Sequence, residues 1–168
     1  MTISLYQASV PTLIRGLTQL NVILAKGAAY AEARKIESRV LCDDRLFPDM
    51  LPLARQIHIA TDNAKGFPAR MAGQQPPRYE DTETTFEELV ARVNKTIAFL
   101  ETFEASDIDG REDKVVSFKL GPTEVTFNGL DYLTKFLLPN FYFHLSMVYA
   151  ILRHNGVELG KRDYLGNH

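Results

Sequence analysis

Apolar residues recur at steps of three and four along most of this 168-residue chain, the spacing that lines one face of a helix. The longest run is Gly129 to Asn155, where Leu130, Leu133, Leu137, Phe141, His144, Val148 and Ile151 share a stripe. Asn128 is placed to cap that helix, and Pro139 predicts a kink inside it. A second stripe joins Met50, Leu53, Ile57, Thr61, Ala64, Pro68 and Met71, with Leu51, Ala54 and His58 beside it. Pro52 falls in its first turn, and the helix is expected to end by Gly73. A third begins at Thr84 or Thr85 and carries Leu89, Val93, Ile97 and Leu100 to about Glu104. At the start of the chain, Leu5, Val10, Leu13, Leu17, Leu20 and Leu24 predict a helix that becomes regular near Ser9 and stops near Gly27.

Between these stripes the period changes. Residues 28–40 predict a short, mostly exposed helix. Residues 73–81, with Pro76-Pro77, predict a loop. Val116, Phe118 and Leu120 alternate with polar residues; after Gly121-Pro122, Val125 and Phe127 alternate again, which predicts a small β-hairpin. The tail 157–168 is polar and glycine-containing, and is expected to be docked as an irregular segment or loose. Four long amphipathic segments and one hairpin predict a single domain over 1–168, built as an antiparallel four-helix bundle.

Composition adds exclusions. The charges nearly balance at net −2 with no basic block, so a protein that works mainly by gripping nucleic acid phosphates is not expected. No apolar run is long enough to predict a membrane span, and no secretory leader is apparent. The single cysteine, Cys42, excludes an internal disulfide and fits a reducing, cytoplasmic location.

Candidate chemistry rests on histidine. His58 and His144 fall on different helices, each on or beside the core stripe, and bundles build metal sites from such inward side chains. Asn140 is one turn before His144 and reaches the same point. Asp62, one turn after His58, could ligate an ion or orient the imidazole. The structural alternative is that His144 and Asn140 are satisfied core groups bonded to backbone or to Tyr142 or Tyr149. His154, in Arg153-His154-Asn155-Gly156, suits a helix C-terminus. Phe141-Tyr142-Phe143 covers more than one helix face, so a second subunit, the hairpin or the tail must cover the outer side. No phosphate-binding glycine loop or nucleophile elbow is present.

The runs MTISLYQASVPTLIRGL, LFPDMLPLARQIHIATDNAKGFPARMAG and LPNFYFHLSMVYAILRHNGVELGKRDYLG resemble a domain-of-unknown-function family of short bacterial and fungal proteins, grouped with the DinB-like (YfiT-like) superfamily. The resemblance covers essentially the whole chain. It implies an up-down-down-up four-helix bundle, often assembled as a homodimer; with the short extra helix and the hairpin read above from the residues, the expected class is all-α. Metal-binding members carry one histidine on the second helix and a His-x-x-x-His pair on the last. Carried over, His58 stands for the first ligand and His144 for one of the pair. Its partner position holds Asn140 or Val148. The resemblance therefore implies either an altered metal site with no assigned role, or a zinc- or nickel-dependent transferase or hydrolase acting on a small molecule. A non-catalytic dimeric binding module is the third expectation.

Overall fold

The computed structural model describes residues 3–166; positions 1–2 and 167–168, His168 among them, lie outside that range. Helix α1 spans Leu5–Arg34. Ser4 starts it by accepting the Gln7 amide at 3.2 Å, while the Gln7 side chain returns the bond to the Ser4 amide at 3.2 Å, a reciprocal cap. The helix therefore begins before Ser9 and runs through both Pro11 and Gly27. Gly27 is a contact point and no stop: a Cβ there would lie 2.9 Å from Phe86 Cε1. Residues 28–34 thus belong to α1, and the short separate helix is α2, Ser38–Cys42.

Helix α3 spans Leu53–Met71, with Pro52 as its N-cap residue. Residues 72–85 form an irregular strap, and α4 spans Phe86–Leu100. Thr85 and Glu88 make the capping box that starts α4. The polar connection after it folds one short turn, α5, Ala105–Ile108. Strands β1 (Val116–Leu120) and β2 (Thr123–Phe127) pair antiparallel, Val116 opposite Phe127 and Leu120 opposite Thr123. Arg111 and Lys114 fix the hairpin's base by donating to the last carbonyls of α3, at Arg70 and Met71.

The last long helical segment starts with the Asn128 cap and the single turn α6, Gly129–Asp131. A π-helical stretch, Tyr132–Leu137, follows, and α7 spans Leu138–His154. At the end of the π turn the Leu138 amide reaches back five residues to Leu133 O. Pro139 offers no amide to the preceding turn, and the segment meets this with a wider turn ahead of the proline. The tail is less loose than its composition suggested. Val157 and Leu159 are buried in the core, and α8, Lys161–Leu165, follows.

The chain is mostly helical with this one hairpin. Helices α3 and α7 pack extensively, α4 packs against both α1 and α3, and α1 also touches α7. One contiguous core joins all four. No helix among the described residues is long and apolar enough to cross a membrane.

Candidate functional site

The described residues hold one dense group of buried polar side chains, where the strap crosses α3 and α4. Its centre is Arg92, on the core face of α4 and only 3% exposed. The guanidinium is fully engaged. Nε donates to Thr61 Oγ1 at 2.8 Å. Nη1 donates to Glu80 O and to Glu83 Oε1, each at 3.1 Å. Nη2 lies 3.1 Å from both Asp62 Oδ1 and Asp81 Oδ1. Asp62 also pairs with Lys65, and Asp81 with Arg55. Lys65, though 4% exposed, sits 4.1 Å from the Tyr79 ring centre, and Lys95 lies 4.3 Å from that same ring. The strap is therefore held down by ionic and cation–π contacts.

His58 lies under the strap, 3% exposed. Its Nε2 is 3.0 Å from Glu83 Oε2 and its Nδ1 is 3.8 Å from Asp81 Oδ1. Neither carboxylate is aligned with the ring, so neither nitrogen has a hydrogen-bond partner. Burial, then the Arg92 charge, hold the imidazole below its ordinary pKa, against the opposing pull of Asp81 and Glu83. Burial alone would push the Asp81 carboxyl up; His58, Arg55 and Arg92 outweigh it and hold it below the usual carboxylate range. Burial pushes the Lys65 ammonium down.

His144 is somewhere else. Its Nδ1 meets Gln56 Oε1 at 2.7 Å, and Gln56 Nε2 donates to Leu51 O at 2.9 Å. Gln56 precedes His58 by two residues, about 200° round the helix, so the two face away from each other. Asn140 turns back on its own helix, donating to Phe136 O at 2.8 Å. Of the four sequence-derived candidates, the structure brings His58 and Asp62 together around Arg92 and leaves His144 and Asn140 outside. Asp81, Glu83, Arg92, Lys65 and Gln56 were missed. A charged Arg92 on the stripe of Leu89, Val93 and Leu100 was the available signal.

These side chains, as arranged, do not fit a divalent ion. Three carboxylates face three cations, Arg92, Lys65 and Arg55, so the group is already balanced. No three His, Cys, Asp or Glu side chains among the described residues form a metal-holding group. Cys42 is no nucleophile: burial, then Asp43 and Glu88, push its thiol up to about 12.

Between the strap and α4 lies a cleft of about 520 Å³, lined by Arg78, Tyr79, Glu80, Glu83, Arg92 and Lys95 among others. Arg92 and Glu83 thus face the ionic group on one side and the cleft on the other.

A family described as Domain of unknown function (DUF1993) matches residues 5–165. The chain belongs to that family. Its fold is DinB-like: a crystal structure of a DinB family member protein from Shewanella denitrificans is 37% identical, with a TM-score of 0.87 over 98% of this chain and 93% of that one. No curated protein matches the DUF1993 chain.

Proposed function

We propose that this DUF1993 protein is a DinB-like bundle that works without a bound metal. The metal position expected from the family resemblance is rebuilt as an ionic group on Arg92, and a small ligand binds in the neighbouring cleft. The observation that carries the reading is the Arg92 guanidinium bonded at 3.1 Å to Glu83, Asp62 and Asp81. A built-in cation there makes a second one unfavourable. The up-down-down-up order belongs to the same reading, supported by the extensive α3–α7 and α1–α4 pairs. So does a cytoplasmic location, which suits one buried thiol.

The competing reading is a zinc- or nickel-dependent transferase or hydrolase with the ion on His58 and His144. Its support is that both ring nitrogens of His58 lack hydrogen-bond partners. Elemental analysis of protein purified without chelators separates the two. Sub-stoichiometric zinc and nickel agree with the rebuilt site; one equivalent, lost on His144→Ala, contradicts it. The third reading, a homodimeric binding module, draws on Tyr142 and Phe143, 38% and 53% exposed, whereas Phe141 is core. Sedimentation equilibrium decides it: a monomer at every concentration excludes the dimer.

A further inference from the structure

We infer that the strap cleft binds a short zwitterion, of the class of a di- or tripeptide with free termini. It lies lengthwise, its carboxylate toward Arg78 and Lys95 and its ammonium toward Glu88. This rests on the small-ligand reading above and gives that ligand a chemical class.

The strap runs antiparallel to α4, and three contacts fix its direction. Lys95 Nζ stands 4.3 Å from the Tyr79 ring centre. The Glu80 carbonyl accepts from Arg92 Nη1 at 3.1 Å. The Thr84 and Thr85 amides donate to Glu88 Oε2 at 2.7 and 3.0 Å. The cleft between strap and helix is therefore polarised along its length. Arg78 and Lys95 stand at one end and Glu88 at the other, with the Arg92–Glu83 pair between them. Glu88 and Lys95 are seven residues apart on one helix, about 10 Å along its axis.

The charges at the ends are uncommitted. Arg92 and Glu83 neutralise each other, but Arg78, Lys95 and Glu80 form no ion pair among the described residues. Glu88 commits Oε2 to the helix cap and leaves Oε1 without a bond. Arg78, Arg92 and Lys95 balance Glu80, Glu83 and Glu88 along the lining, so a simple anion or cation gains no overall attraction. A molecule with one charge of each sign satisfies both ends at once. Each residue of extended chain spans about 3.3–3.6 Å, so two or three residues cover the distance. Ala91 sits between the ends, three residues after Glu88 and four before Lys95, on the same face. Its methyl leaves the middle of that wall open. The cleft, about 520 Å³, falls within the range of about 300–1,000 Å³ for small-molecule sites.

The test is calorimetric titration of the full chain with trialanine, N-acetyl-trialanine, trialanine amide and free alanine. Wild type is expected to bind one equivalent of trialanine. Blocking either terminus removes a charge-assisted contact and is expected to weaken binding at least about tenfold. Alanine, too short to reach both ends, is expected to be weaker by as much. Lys95→Ala should weaken trialanine about tenfold and leave the affinity of the amide unchanged. Ala91→Trp should fill the cleft and abolish binding. Both positions are exposed, and the blocked peptides test wild type without any substitution. Trialanine that does not bind, or binds no more tightly than its blocked forms, overturns the inference. A Lys95→Ala protein that loses the amide as much as the acid also overturns it. Blocked forms that bind wild type equally well and are lost in Ala91→Trp overturn the inference and leave the small-ligand reading standing. Binding that survives in Ala91→Trp overturns both.

Discussion

Arg92 Nε donates to the Thr61 hydroxyl at 2.8 Å, and that hydroxyl in turn donates to the carbonyls of Ile57 and His58, each at 2.9 Å. Thr61 is fully buried. It holds the plane of the guanidinium so that both terminal nitrogens face the strap, which makes α3 the platform, α4 the source of charge and the strap the acceptor.

Replacing Arg92 by methionine leaves Glu83 and Asp81 facing a neutral stem. Losing one partner of a buried charge group costs about 3–5 kcal/mol. Asp62 and Asp81 retain solvent, so about 3 kcal/mol is expected from urea unfolding. Asp62→Asn should cost under about 1 kcal/mol. Equal losses would show that the group is not centred on Arg92.

Stability should fall as pH drops below the ordinary histidine value. Burial holds both His58 and His144 below 6.5 in the fold, so the unfolded chain binds more protons there. Their contribution is fully present above pH 6.5 and is lost as pH falls toward the folded values. The slope is at most about 1.4 kcal/mol per pH unit for each histidine. Urea midpoints between pH 8 and pH 5 measure it; a flat profile across that range contradicts the burial of both rings.

Gln56 and His144 should be energetically coupled. Gln56→Met leaves His144 Nδ1 buried without its acceptor, an expected cost of about 1–3 kcal/mol. Gln56→Met with His144→Phe should cost less than the two single losses added together. Strict additivity would mean the 2.7 Å contact stabilises nothing.

Alanine normally improves a helix by about 1 kcal/mol over glycine. In α1 it should do the reverse. A Cβ at Gly16 would sit 2.6 Å from Phe141 Cε1, and one at Gly27 would sit 2.9 Å from Phe86 Cε1. Both alanine variants are expected to lose about 1–3 kcal/mol by overpacking. Thermal unfolding temperatures above wild type would show that the α1–α7 and α1–α4 contacts are looser than they stand here.

Much of the fold was legible. Stripes of period 3.6 mark all four long helices because each buries one face, and alternation around Gly121-Pro122 marks the hairpin. The misread ends share a cause. Pro11 suggests a first turn and Gly27 a stop, but the Ser4–Gln7 cap starts α1 earlier, and packing against Phe86 and Leu152 carries it through Gly27. The site was only half legible. His58 and Asp62 announce themselves as a one-turn pair. Asp81 and Glu83 sit in a strap with no period, and only tertiary closure brings them to α3. Arg92 shares the core face of α4 with Leu89 and Val93, but spacing alone does not show which core-facing cation has partners.

The central claim is that Arg92 carries the positive charge of this site and holds it against other cations. Nitrogen–proton NMR of the arginine side chains, recorded before and after adding zinc, tests it most directly. The account predicts one Nε–H resonance far slower to exchange with water than the rest, absent in Arg92→Lys and unmoved by stoichiometric zinc. An Arg92 Nε–H exchanging as fast as those of exposed arginines, or displaced when zinc is added, would contradict it.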